Sequence, residues 1–213
     1  MKIGMLGSGD VGRALGLGFA TLGHEVRMGT REPGSEKVRA WQAKAGPNAS
    51  AGTFAEAAGF GELAVLATAW SGTAAAIQLA GPERLADKVV IDTTNPLDFS
   101  GGAPRLALGF DDSAGEQVQR WLARSQVVKA FNIVGNAHMF RPQFPGGPPD
   151  MFIAGNNESA KRTVTGILGD FGWPTIDLGG IDAARLLEPL ALVWITHAVR
   201  GGTWNHAFKL LRK

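Results

Sequence analysis

Cysteine and tyrosine are both absent from the 213 residues, and no apolar stretch is long enough to span a bilayer. Without cysteine there is no disulfide, no thiolate zinc site, no iron–sulfur cluster and no cysteine nucleophile. A bulk excess of one charge is missing too: 21 Lys and Arg stand against 19 Asp and Glu, a net of +2. The sequence pI of 9.2 overstates that surplus, because no Tyr or Cys titrates between neutrality and the lysines. No cluster of positive residues of the kind that binds nucleic acid is present. The opening Met1-Lys2-Ile3-Gly4-Met5-Leu6 runs directly into a glycine turn, without the longer apolar region and cleavage site of a signal peptide. The expectation is a soluble, cytoplasmic protein that binds neither nucleic acid nor membrane.

What is present is the composition of a packed domain, 45% apolar and 19% charged. Strand-length apolar runs at residues 2–6, 25–29, 63–67, 89–92 and 127–131 alternate with helical patterns at 11–22, 37–45, 73–79 and 115–123. A short helical turn is expected at 54–58. The run Leu63-Ala64-Val65-Leu66-Ala67 shows no polar alternation, as suits a parallel strand covered on both faces. This is the pattern of a doubly wound α/β sheet with helices on both sides. After the Pro/Gly-rich loop 142–149 come a strand at 151–154, a helix at 159–171, a strand at 175–178 and an apolar helical tail at 183–211, interrupted at Gly201-Gly202. Residues 1–140 are expected to form the core, and 141–213 a sheet extension and helical segment packed on the same domain.

Gly7-Ser8-Gly9-Asp10-Val11-Gly12 fits G-x-G-x-x-G, directly after a strand and opening a helix. In that context Gly7 permits the tight turn, Gly9 lets the backbone approach a pyrophosphate, and Gly12 lets helix and sheet pack closely. The free N–H groups of the helix start then face the anion. An NAD site usually places Asp or Glu at the end of the second strand. Here Gly29-Thr30-Arg31-Glu32 stands there instead. A hydroxyl and a guanidinium suit a 2′-phosphate, and Lys37 adds charge from the next helix. NADP is therefore the expected cofactor, against the plainer reading of Arg31 as a solvated surface charge.

Beyond the fingerprint, Gly29-Thr30-Arg31, Ala67-Thr68-Ala69-Trp70 and Phe152-Ile153-Ala154-Gly155-Asn156-Asn157 together resemble the deazaflavin (coenzyme F420)-dependent NADP oxidoreductases. The likeness extends to Arg185-Leu186-Leu187-Glu188. Val127-Val128-Lys129-Ala130-Phe131-Asn132 is also similar to the reductase domain of the STEAP metalloreductases. The resemblance implies a Rossmann-type sheet with extra strands and a small helical C-terminal part, NADP across the strand ends, and a shallow pocket for a flat redox partner such as F420 or a flavin. It implies a pyrophosphate loop at Ser8, Gly9, Asp10 and Val11, and a 2′-phosphate site at Thr30 and Arg31. It likewise implies a dinucleotide-facing loop at Ala69 and Trp70, and nicotinamide contacts at Ala130 and Asn132. Ile133-Val134-Gly135-Asn136 departs from the family, which has a proline-containing stretch there.

Hydride transfer between two bound rings needs little from side chains beyond placement at about 3–3.5 Å and exclusion of water. No catalytic side chain is assigned, and no acid–base dyad stands near Ala130 and Asn132. Asn95 either hydrogen-bonds the ribose or carboxamide or is a turn residue before Pro96. His138 could line the acceptor pocket; His24, His197 and His206 read as capping or packing residues, and no spacing resembles a metal site. Ser71 lacks a nucleophile-elbow context. The apolar tail suggests a homodimer, and within it Trp194 and Trp204 could stack on a flat ring. Reduction of a small imine or carbonyl, and NADPH sensing without turnover, remain as alternatives.

Overall fold

The computed structural model describes residues 1–213. The chain runs β1 (Lys2–Leu6), α1 (Asp10–Thr21), β2 (Glu25–Gly29), α2 (Glu36–Ala45), β3 (Ala49–Gly52), α3 (Phe54–Phe60), β4 (Leu63–Leu66), α4 (Trp70–Ala80) and β5 (Val89–Asp92). A two-stranded hairpin follows, β6 (Leu97–Asp98) and β7 (Arg105–Leu106). Then come α5 (Ala114–Trp121), β8 (Gln126–Lys129), β9 (Met151–Gly155), α6 (Glu158–Asp170), β10 (Thr175–Asp177) and α7 (Ala184–Gly201). The main sheet has the order β10-β9-β8-β5-β4-β1-β2-β3. The six strands β8-β5-β4-β1-β2-β3 are mutually parallel and follow the dinucleotide-binding order, with a switch point between β1 and β4.

Side chains leave a strand on alternate faces, and here both faces are dry. Leu63 and Val65 of β4 join a cluster of 28 buried residues with α1, α2 and α6. Ala64 and Leu66 join a second cluster of 15 with α3, α4 and α5. In the larger cluster Phe19 meets Phe171 edge-on, with ring centroids 4.8 Å apart. No helix is long and apolar enough to cross a membrane.

Four features differ from the sequence reading. β3 was not expected; Ala49-Ser50-Ala51-Gly52 carries no apolar run, and it forms because β2 supplies a parallel edge from Val26↔Ala49 to Gly29↔Gly52. The β6–β7 hairpin also went unread, since two residues per strand show no period. β9 runs antiparallel to β8, pairing only Val128↔Gly155 and Lys129↔Ala154. A parallel return needs a crossover, usually a helix; the segment 130–150 holds only a single 3₁₀ turn, Asn136–His138, so the chain comes back against β8. Finally, the helical tail ends at Gly202 in the left-handed conformation (φ 65°), and residues 203–213 are not helical.

Candidate dinucleotide cleft

Gly7 follows β1 with φ 127°, and a Cβ there would lie 2.3 Å from the Ala67 carbonyl oxygen. Its N–H donates to Gly29 O at 3.0 Å, which ties the β1 and β2 ends together. Gly12 is buried, and a Cβ on it would stand 2.1 Å from Gly7 O. Gly9 differs from both: it is the N-cap of α1 at φ −70°, and nothing lies within 4 Å of the space its Cβ would fill. So Gly7 and Gly12 serve the turn, whereas Gly9 leaves room for something outside the chain.

That room opens into a cleft of about 500 Å³. Gly7, Ser8 and Gly9 form its floor, Thr30, Arg31, Glu32 and Lys37 one side, and Ala67, Thr68, Ala69, Ser71 and Gly72 the other. It straddles the β1/β4 switch point. The helix starts on its floor and on its α4 side are bare. α3, α5 and α6 are capped by the side chains of Thr53, Ser113 and Asn157, but α1, α2 and α4 have no side-chain cap. α1 and α4 thus present unpaired N–H groups and the positive ends of their dipoles toward the same space. Ser8 Oγ lies 3.0 Å from Thr30 Oγ1, both nearly buried. Arg31 and Lys37 are exposed and make no ion pair, whereas Asp10 is taken by Arg13. This donor set fits a dinucleotide: bare N–H groups suit a pyrophosphate, and two hydroxyls with two free cations suit a further phosphate.

Not every expected residue meets there. Val11 packs against the larger core cluster. Trp70 turns away from the cleft and stacks on Trp121, with centroids 5.5 Å apart and planes at 18°; Ala69 beside it does line the cleft. Sequence reasoning missed Phe54, Ser71, Gly72, Ala75, Ala76 and Leu79, which complete the lining from α3 and α4. α4 starts at Trp70 rather than at residue 73, and its N-cap is Ala69, a residue that carries no start signal.

Asn95, Ala130 and Asn132 gather elsewhere, past β4 at the ends of β5 and β8. Asn95 Nδ2 donates to Asn132 O at 2.8 Å, and Asn132 Nδ2 donates to Asn95 Oδ1 and to Leu187 O, both at 3.0 Å. Between Ala130 and Asn132, Phe131 is buried at φ 62°. Directly behind this turn lies a sealed charge cluster. Lys129 Nζ is 2.9 Å from Asp92 Oδ2 and 2.8 Å from Glu188 Oε1, and the three side chains are at most 2% exposed. Burial pushes the Lys129 ammonium down, but the two carboxylates outweigh it and hold it above its ordinary value. Glu188 also accepts the N–H groups of Ala114 and Gly115, at 2.9 and 3.0 Å, where α5 begins. The residues after the turn form a wall: Ile133, Val134 and Met139 are buried, and Trp194 lies where a Cβ on Gly135 would be, 3.0 Å away.

The histidines hold local positions. His24 meets the N-terminal ammonium at 3.2 Å, and burial, aided by that charge, lowers its pKa. His138 Nε2 is 3.1 Å from Asn205 Oδ1. His206 Nε2 is 3.0 Å from Trp194 O and its ring stacks on Trp194, while His197 meets His206 edge-on. Trp194 is 5% exposed and so has no free face to offer a ligand, whereas Trp204 is 50% exposed.

A Rossmann-type fold with this cleft at its switch point defines a dinucleotide-binding protein. Residues 2–96 match the family model described as NADP oxidoreductase, coenzyme F420-dependent. The F420-dependent NADP reductase of Methanocaldococcus jannaschii is 30% identical, with 89% of each chain covered. Rat metalloreductase STEAP3 is 28% identical over 90% of this chain but only 36% of its own length. Among solved structures, a candidate F420-dependent NADP reductase from Arthrobacter sp. FB24 is 40% identical and superposes with a TM-score of 0.94, each chain fully covered. The chain belongs to the F420-dependent NADP oxidoreductase family and is an NADP-dependent oxidoreductase.

Proposed function

We propose that this chain passes hydride between NADP(H) and a flat deazaflavin or flavin acceptor. NADP supplies the hydride chemistry. The chain supplies grip, orientation and exclusion of water. Gly7, Ser8, Gly9, Asp10, Val11 and Gly12 form the pyrophosphate turn, with the peptide N–H groups as donors. Thr30, Arg31 and Lys37 take the 2′-phosphate, and Ala69 with the adjoining Trp70 backbone closes the opposite wall. Asn95, Ala130 and Asn132 hold the nicotinamide end. Residues 1–140 act as the cofactor-binding half and 141–213 as the acceptor-side extension.

One observation carries the choice of acceptor class. The ionisable groups behind the 130–132 turn, Asp92, Lys129 and Glu188, are sealed and paired with one another. None can reach a substrate to give or take a proton, and His138 on the wall has its Nε2 engaged by Asn205. Reduction of an imine or carbonyl benefits from a positioned proton donor, whereas ring-to-ring hydride transfer requires only placement. Stopped-flow oxidation of bound NADPH against F420, FMN, FAD, ferric chelates and small imines tests this. Turnover with a deazaflavin or flavin is expected, and turnover with imines alone would overturn it.

Arg31→Ala separates the two nicotinamide coenzymes. Loss of a charge-assisted hydrogen bond costs about 1.5–3 kcal/mol, so NADPH should weaken by about 10- to 150-fold while NADH binding barely changes. Fluorescence titration with both reads the ratio; equal loss would remove the 2′-phosphate assignment.

We further infer a homodimer. Leu186, Val193 and Val199 stand exposed on α7. Beside them Leu106, Leu108, Phe110 and Leu178 line an apolar groove of about 1070 Å³. Analytical ultracentrifugation gives the assembly state.

A further inference from the structure

The Asp92–Lys129–Glu188 cluster is an unexpected thing to find in a small domain. Removing three charges from water costs several kcal/mol per ion, and apolar side chains of the same volume often serve stability as well or better. The cluster carries a surplus negative charge, offset by the two N–H bonds and the positive end of α5. Directional bonds add what apolar packing cannot: a single arrangement of the elements that carry them.

Those elements surround one turn. Asp92 and Lys129 are cross-strand partners at the last rungs of β5 and β8. Ala130 N–H donates to Asp92 O at 3.0 Å, and Asp92 Oδ1 accepts from Thr94 N–H at 2.9 Å. Glu188 follows Leu187, whose carbonyl holds Asn132. Between these anchors Phe131 occupies the left-handed region, a conformation worth about 1–3 kcal/mol of strain for a bulky residue. A strained turn relaxes unless its flanks are held. Lys129 holds the flank before it, and the Leu187–Glu188 corner of α7 holds the flank after it.

Resting on the placement of the nicotinamide at Ala130 and Asn132, we infer that Lys129, Asp92 and Glu188 are positioning residues, which lock the 130–132 turn against α7 so that the bound ring is held in one orientation. They do not touch the ring; they act through the turn.

The test reads ring mobility rather than turnover. Glu188→Gln keeps an amide oxygen for one of the two α5 N–H groups and removes the charge that faces Lys129; Asp92→Asn removes the facing charge from the other side, keeping an acceptor for Thr94 N–H, should the first fold poorly. Val164→Ala, in the α6 core away from the cluster, provides a comparable loss of stability. Time-resolved fluorescence anisotropy of bound NADPH reports the dihydronicotinamide ring directly, on the nanosecond scale of side-chain motion. In Glu188→Gln the slow, protein-locked amplitude should fall at least about twofold while NADPH affinity stays within about threefold. Val164→Ala should leave the amplitude at the parental value. If both variants keep it, the cluster is merely structural and the inference is wrong. If the parent itself binds NADPH with a freely moving ring, the nicotinamide placement fails and takes the inference with it, an outcome the parent alone reveals.

Discussion

Gly9→Val should remove NADPH binding, by about a thousandfold or about 4 kcal/mol, while the chain still folds. The two halves of that result have separate causes. At φ −70° the backbone accepts a branched residue, and nothing lies within 4 Å of the new Cβ. Valine is a poor N-cap, at a cost near 1 kcal/mol, which is about 2–4 °C for a chain of this size. The added methyls fill the space above the bare N–H groups of α1, where a pyrophosphate must come within hydrogen-bond distance. Gly12→Ala makes the contrast: its Cβ would meet the Gly7 carbonyl at 2.1 Å, so the turn itself must shift and melting should suffer first. Calorimetric titration alongside thermal melts separates the two. Parental affinity in Gly9→Val would mean that the loop is only a turn.

Lys129→Met should destabilise the fold by about 3–5 kcal/mol, because it leaves two buried carboxylates without their cation. For a domain of this size that is about 6–20 °C in Tm. The variant should also acquire a pH dependence. With the cation gone, one carboxylate holds a proton in the folded state at a pH where the unfolded chain has released it. The folded state then binds more protons, so stability falls as pH rises, by up to about 1.4 kcal/mol per unit for one proton. In the parent, Lys129 sits above its ordinary pKa, so its contribution is present throughout neutral pH and is lost only in alkali, as pH rises past the folded-state value. Melts of Lys129→Met from pH 5 to pH 8 check both size and sign; a loss that does not vary with pH would mean that the carboxylates find other partners.

The glycine turn could be read directly because its information is local. Gly7 to Gly12 form one strand–turn–helix unit, and the residues that shape its turn are neighbours in the chain. Thr30 and Arg31 follow directly on the strand paired to β1, and both line the cleft. Failures fell where the decisive contacts are distant. Trp70 looked like part of a cofactor loop, yet its ring has a better partner in Trp121, which the chain reaches only after another fifty-odd residues, β5 and the β6–β7 hairpin. β3 has no apolar pattern and exists because β2 offers an edge. The pairing of Asp92, Lys129 and Glu188 was not legible: the first two end strands otherwise built mostly of Val and Ile, the third lies in an apolar helix, and the motifs that hold Lys129 and Glu188 do not say that they meet.

Composition and short-range pattern were thus enough for the sheet class, the glycine turn and the preference for a phosphorylated ribose, since each depends on backbone freedom and side-chain chemistry within a few positions. The reversed direction of β9, the non-helical end of the chain and the sealed cation beneath the 130–132 turn came only from packing. Those depend on which surfaces remain to be covered, and which charges remain to be paired, once the strands have been brought side by side.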